Sequence, residues 1–111
     1  QRNLNGIGAS SGIAAGKATV MPEMNMDAQS LDVLVTVRTD PGWTPLMALS
    51  KALVVEHGGM LSHASIVARE LGIPAVIGVM DACQKIRSGD LLTVDGEKGK
   101  VVVMSKVESD E

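Results

Sequence analysis

A chain that is 45% hydrophobic yet has one Trp, no Phe and no Tyr must close its core with Ile, Leu, Val, Ala and its seven Met. Small aliphatic side chains suit closely spaced strands and helices, and their β-branched members favour strands. The same shortage removes the aromatic platform on which proteins stack single-stranded nucleic acid. At 111 residues the chain has room for one domain.

Patterning divides the chain into short alternating elements. Lys17–Met21, Asp32–Arg38, Ala52–Glu56 and Ala75–Val79 read as strands, the second most strongly because of its β-branched run. Leu91–Asp95 and Lys100–Met104 flank a Gly-containing turn and read as a hairpin. Thr44–Ser50 reads as a short helix with Pro45 in its first turn. Ser62–Leu71 is a helix that stops at Gly72, with Pro74 just beyond. Asp81–Ile86 is a further short helix, and Asp27–Leu31 a polar loop or short helix. Strands alternating with helices give an α/β class, with short helices packed on small sheets. Residues 1–104 form the domain, and residues 105–111 are read as a charged flexible tail.

Ten Lys plus Arg against 13 Asp plus Glu leave a net charge of −3, which argues against general affinity for nucleic acid or anionic membrane. No apolar run is long enough for a transmembrane helix, and no signal peptide is visible. The single Cys83 can form no internal disulfide and has no partners at zinc spacing. A reducing, cytoplasmic setting is expected. The chain opens on Gln1 rather than Met, as a fragment of a longer protein would.

The chemically informative stretch runs from Glu56 to Gly78. A strand ends, Gly58 and Gly59 follow, and a helix begins at Ser62, whose hydroxyl can cap an early N–H. His63 therefore lies in the first helical turn. Ala64, Val67, Ala68 and Leu71 share the core-facing side, with Ser65 and Arg69 on the other side and Ile66 outside the buried stripe. A helix N-terminus with free N–H groups favours phosphate, and the two glycines let the backbone come close. An imidazole there can attack phosphorus through its unprotonated nitrogen and later serve as leaving group. Phosphoryl transfer needs mainly positioning and charge stabilisation. A lone His beside a helix is more often structural, so the chemistry by itself favours that plainer role.

The sequence context adds a resemblance. Gly58-Gly59, Ser62-His63-Ala64, Ile66-Val67-Ala68-Arg69-Glu70 and Gly72-Ile73-Pro74-Ala75 resemble, without gaps, the signature of the mobile, swivelling domain of phosphoenolpyruvate-utilising enzymes. Gly6–Ser10 with Gly16–Ala18, which resemble the family's entry strand, Asp32–Val35 with Thr39–Pro45, and Asp95-Gly96 with Gly99 extend the resemblance over nearly the whole chain. That family includes pyruvate phosphate dikinase, phosphoenolpyruvate synthase, enzyme I of the sugar phosphotransferase system and rifampin phosphotransferase. The resemblance implies a three-layer swivelling β/β/α phosphohistidine domain in which the residue matching His63 carries the phosphoryl group between two active sites. It implies no cofactor in this domain, with ATP or phosphoenolpyruvate and Mg on partner domains. Those partners would be an ATP-grasp-like nucleotide-binding domain and an acceptor-site domain, and the isolated domain would turn nothing over. Gly58, Gly59 and Ser62 would shape and cap the phosphate site, with Ser65 and Arg69 as supporting residues. Leu61 stands where dikinases carry Thr, which excludes phosphorylation at that position. Met60-Leu61-Ser62-His63 with Gly42–Pro45 looks more like phosphoenolpyruvate synthase-like and rifampin phosphotransferase-like proteins.

Rival readings are a non-catalytic docking or regulatory module of the same fold, with His63 a relic, and a hydrolase using Ser62 or Ser65 with His57. His57 reads as a loop histidine. Arg69 is expected to pair with a loop carbonyl or an acid. Trp43 fits an interface anchor or a partly buried plug equally well. Gly6, Gly8 and Gly12 echo a dinucleotide-binding loop, but the third Gly is one place late and no strong strand precedes it. Gly16-Lys17 echoes a phosphate-binding loop, without its first Gly or the Ser or Thr after Lys.

Overall fold

The computed structural model describes residues 2–25 and 31–105. The elements are β1 (Arg2–Asn5), β2 (Ile7–Ser10), β3 (Ile13–Val20), β4 (Val33–Thr36), a 3-10 turn (Pro41–Trp43), α1 (Thr44–Ala48), β5 (Ala52–Val55), α2 (His63–Leu71), β6 (Ala75–Ile77), α3 (Ala82–Lys85), β7 (Leu91–Asp95) and β8 (Lys100–Ser105). The described strands join in the order β1-β8-β7-β3-β4-β5-β6-β2. Strand β3 is the hinge of that order. Its first half, Ile13–Lys17, pairs antiparallel with β7, and its second half, Ala18–Val20, pairs parallel with β4.

Two clusters of buried side chains resolve the sheet into layers. Val33 and Val35 of β4, with Ala52 and Val54 of β5, pack against Leu92, Val94, Val101 and Val103 of the β7–β8 hairpin. The intervening Leu34, Leu53 and Val55 point the other way, onto Trp43, Leu46 and Met47 and onto Ala64 and Ala68 of α2. Side chains alternate across a strand, so strands with both faces buried must be apolar at every position. That is why β4, β5 and β6 read as unbroken aliphatic runs, and the result is the expected β/β/α stack. The hairpin strands alternate instead: Leu92 and Val94 are buried, while Thr93 is only partly so. Trp43 is a buried plug in the helix-side core.

Residue patterning indicates neither β1 nor β2, and only the family resemblance of Gly6–Ser10 points to a strand at β2. Both are short sheet edges whose pairing is non-local, β1 with β8 and β2 with β6. The glycines that echo a nucleotide loop serve this packing. A Cβ at Gly8 would overlap the Gly96 carbonyl, and one at Gly96 would overlap the Ser10 carbonyl. The Gly6 N–H also donates to the Gly99 carbonyl at 2.9 Å, locking the hairpin turn over β2. Strand β8 runs through Ser105, which pairs with Leu91. The rest of the expected tail, and residues 27–30 of the expected loop or short helix, lie outside the described residues. Among the described residues no helix is long and apolar enough to cross a membrane.

Because the backbone at Ser10 blocks any side chain at Gly96, Gly96→Ala should lower stability by about 1–3 kcal/mol, the range for overpacking a tight site. Urea denaturation of the variant beside the parent chain measures it.

Candidate functional site

The site lies at the carboxyl ends of β4 and β5, the usual place for ligand chemistry in a sheet with parallel strands. Past those ends the two chains stay zipped: the Glu56 N–H donates to the Thr36 carbonyl at 3.0 Å and the His57 N–H to the Val37 carbonyl at 2.8 Å. This pairing holds the loop after β4 beside the loop that leads into α2.

Helix α2 starts as its sequence dictates. Ser62 is extended at the N-cap, and its Oγ accepts from the Ser65 N–H at 3.4 Å. The helix ends at Gly72, whose left-handed backbone (φ 74°) returns its N–H to the Ala68 carbonyl. The first-turn N–H groups at His63 and Ala64 have no intrahelical acceptor by construction.

His63 is half-buried, and its Nδ1 lies 2.8 Å from the Thr39 hydroxyl across the zipped loops. In sequence Thr39 is only part of a turn. It is a site residue that local pattern could not reveal, because it lies 24 positions from His63.

The loop before His63 is fastened from three sides. Ser62 Oγ and Ser65 Oγ each donate to the Gly59 carbonyl at 2.7 Å. Arg69 Nε donates to the Ser65 carbonyl at 3.1 Å, and the same guanidinium reaches the Met60 carbonyl. Arg69 is thus a strap between helix and loop, as expected of a structural arginine. Gly58 needs to be glycine, with φ 130° and a would-be Cβ 2.9 Å from Ser62 Oγ. Gly59 contributes its carbonyl, and a Cβ there would meet nothing within 4 Å.

The helical face differs from expectation at two positions. Ser65 is fully buried rather than on the outer side, because its hydroxyl turns inward to Gly59. Leu71, the last residue of α2, is 40% exposed. Ile66 lies outside the buried stripe as anticipated, and Met60, Leu61 and Ile66, all within three residues of His63 in sequence, are exposed. The serines of the hydrolase reading are both committed to Gly59, and neither bonds to His57.

A cleft of about 250 Å³ adjoins the Thr39–His63 pair, lined by Arg38, Thr39, His57, Gly58, Ser62 and Ala64. Nearby, Glu56 Oε2 accepts the Cys83 N–H at 2.9 Å. Burial, and then the Glu56 charge, push the Cys83 thiol up to about 12. A thiol so raised stays protonated at neutral pH and is no nucleophile. Among the described residues no group of His, Cys, Asp and Glu could hold a metal ion.

Residues 28–99 match the family model described as "PEP-utilising enzyme, mobile domain". The chain is 46% identical over 96% of its length to an uncharacterised phosphotransferase of Bacillus subtilis, and 47% identical over 97% to a phosphoenolpyruvate synthase of Aeropyrum pernix. It is 44% identical over 89% to a rifampicin phosphotransferase of Bacillus cereus. The chain spans 13% of the length of the first two of these relatives. Among solved structures, an enzyme I protein superposes with TM-score 0.61 and 32% identity, over 70% of this chain and 32% of that one. The aconitase X of Thermococcus kodakaraensis shares the fold at TM-score 0.71 and 18% identity, over 95% of this chain and 100% of that one.

Two outcomes follow from this geometry. Ser65→Ala removes one buried bond to the Gly59 carbonyl and should cost about 1 kcal/mol in chemical denaturation. At pH 8, native Cys83 should react with iodoacetamide at least about 100-fold more slowly than in the unfolded chain, where the thiol titrates near 8.5. Mass spectrometry over time gives the ratio.

Proposed function

Because the chain belongs to the family of PEP-utilising enzyme mobile domains, we propose that it is the carrier part of a larger phosphotransferase and is transiently phosphorylated on Nε2 of His63. The observation that carries this reading is the 2.8 Å contact between Thr39 Oγ1 and His63 Nδ1. With Nδ1–H donating to the Thr39 oxygen, the lone pair sits on Nε2, pointing away from Thr39. The Nε2 lone pair forms the N–P bond while the P–O bond to the donor breaks and the leaving oxygen keeps its electron pair. The Nδ1 proton stays on the ring, so the phosphorylated imidazole is cationic and a good leaving group for the next transfer. Thr39 accepts that proton's hydrogen bond in both states and need not move.

Gly58, Gly59, Ser62, Ser65 and Arg69 serve this chemistry by holding the ring's backbone in place. No cofactor is assigned to this chain. ATP or phosphoenolpyruvate, with Mg, would bind partner domains, one ATP-grasp-like and one holding the acceptor, between which this domain swivels. A carrier needs an exposed nucleophile and a rigid mount, and the short, multiply fastened loop before α2 supplies the mount. By itself the chain should turn nothing over.

Incubated with its donor domain and ATP or phosphoenolpyruvate, the chain should take up one acid-labile phosphoryl group, and His63→Ala should take up none. Thr39→Val should slow uptake roughly tenfold, the effect of losing one neutral hydrogen bond of about 1.4 kcal/mol. An adduct of undiminished amount in His63→Ala would overturn the assignment.

A further inference from the structure

The 250 Å³ cleft beside the Thr39–His63 pair has a charge pattern of its own. Arg38 and His57 line it from the two zipped loops, and both are exposed. Neither has an ion pair or side-chain hydrogen bond among the described residues. The carboxylates one or two residues from them in sequence are engaged by backbone amides. Asp40 Oδ1 accepts the Gly42 N–H at 2.9 Å, and Glu56 Oε2 accepts the Cys83 N–H at 2.9 Å. The hydroxyls of Thr39 and Ser62 complete the polar lining. His57 also borders a second cleft with Glu56, Gly78, Met80 and Asp81, whose two carboxylates repel an anion. The pair of clefts therefore directs negative charge to the Arg38 side.

We propose that the cleft walled by Arg38 and His57 is an oxyanion subsite that binds a phosphate dianion beside His63. This rests on the reading of His63 as the phosphoryl carrier and adds to it two residues that touch the phosphate. A guanidinium presents paired donors that match phosphate oxygens, and an imidazole N–H adds a further donor. The cleft has the volume of about eight waters, so a phosphate group enters with part of its hydration shell. Nε2 of His63 points away from Thr39, which lines the cleft, so the ligand favoured is a second phosphate group, belonging to a donor or acceptor; the phosphoryl group that His63 carries is the other source, and the experiment separates the two.

Inorganic phosphate titrated into the chain at constant ionic strength, followed by the His57 ring C–H signals in NMR, tests the subsite. Saturable shifts with a dissociation constant on the order of millimolar are expected, weakened about fivefold or more in Arg38→Gln. In the double variant Arg38→Gln/His57→Gln, phosphate should no longer perturb the Ala64 amide, which is the readout there. Equal perturbation by chloride, or an undiminished phosphate response in the double variant, would overturn the proposal. Repeating the titration after phosphorylating His63 with phosphoramidate separates the sources. If the His57 signals already sit at their phosphate-bound positions, the carried group fills the subsite. If they still respond saturably to added phosphate, a second phosphate group does. A chain that binds phosphate here but takes no phosphoryl group on His63 would sink the carrier reading and leave the subsite standing.

Discussion

The parallel pairing of β4 with β5 is the constraint on which the site depends. Both strands are buried on both faces, so their register is fixed by two cores at once: a one-residue slip would exchange every side chain between the hairpin layer and the helix layer. The pairing does not stop where the strands do. It continues through the Glu56 and His57 amides onto the Thr36 and Val37 carbonyls, and so delivers Thr39 to within 2.8 Å of His63. The positions of a turn hydroxyl and of a helix N-terminal imidazole are in this sense set by packing two layers away.

What the sequence made legible was local. The Ser62 cap and the Gly72 stop bracket α2 because capping and left-handed termination involve residues a few positions apart. The aliphatic runs of β4, β5 and β6 announced strands for the same reason. The missed features all depend on distant partners. Edge strands β1 and β2 have little pattern of their own and exist through pairing with β8 and β6. Thr39 looks like any turn threonine until β4 and β5 are laid side by side. Ser65 looked exposed on a helical wheel, and its burial follows from a loop carbonyl that a wheel does not contain. Leu61, which in sequence stands only where dikinases carry Thr, is 87% exposed.

The glycines illustrate how the same residue type carries different information. Gly6, Gly8, Gly96 and Gly99 let two backbone segments touch, and a motif that echoes nucleotide binding is spent on joining the hairpin to an edge strand. Gly58 holds a left-handed turn tight against Ser62, while Gly59 lends a carbonyl that two serines share. The loop that precedes His63 is therefore fastened by several hydrogen bonds although it is rich in glycine. Under the proposed carrier role, such fastening suits a group that would meet two different partners in one geometry, since transfer rates depend steeply on the placement of reacting atoms. The His63 ring is half-buried, and its Nδ1 side is anchored on Thr39.

The central claim is that Thr39 fixes the ring so that Nε2 is the phosphorylated atom. Long-range 1H–15N correlation of the His63 ring, recorded on the chain before and after phosphorylation, tests it most directly. The account predicts the Nδ1–H form of the neutral ring and a phosphoryl group on Nε2. A phosphoryl group on Nδ1, or on His57 with His63 unmodified, would contradict it.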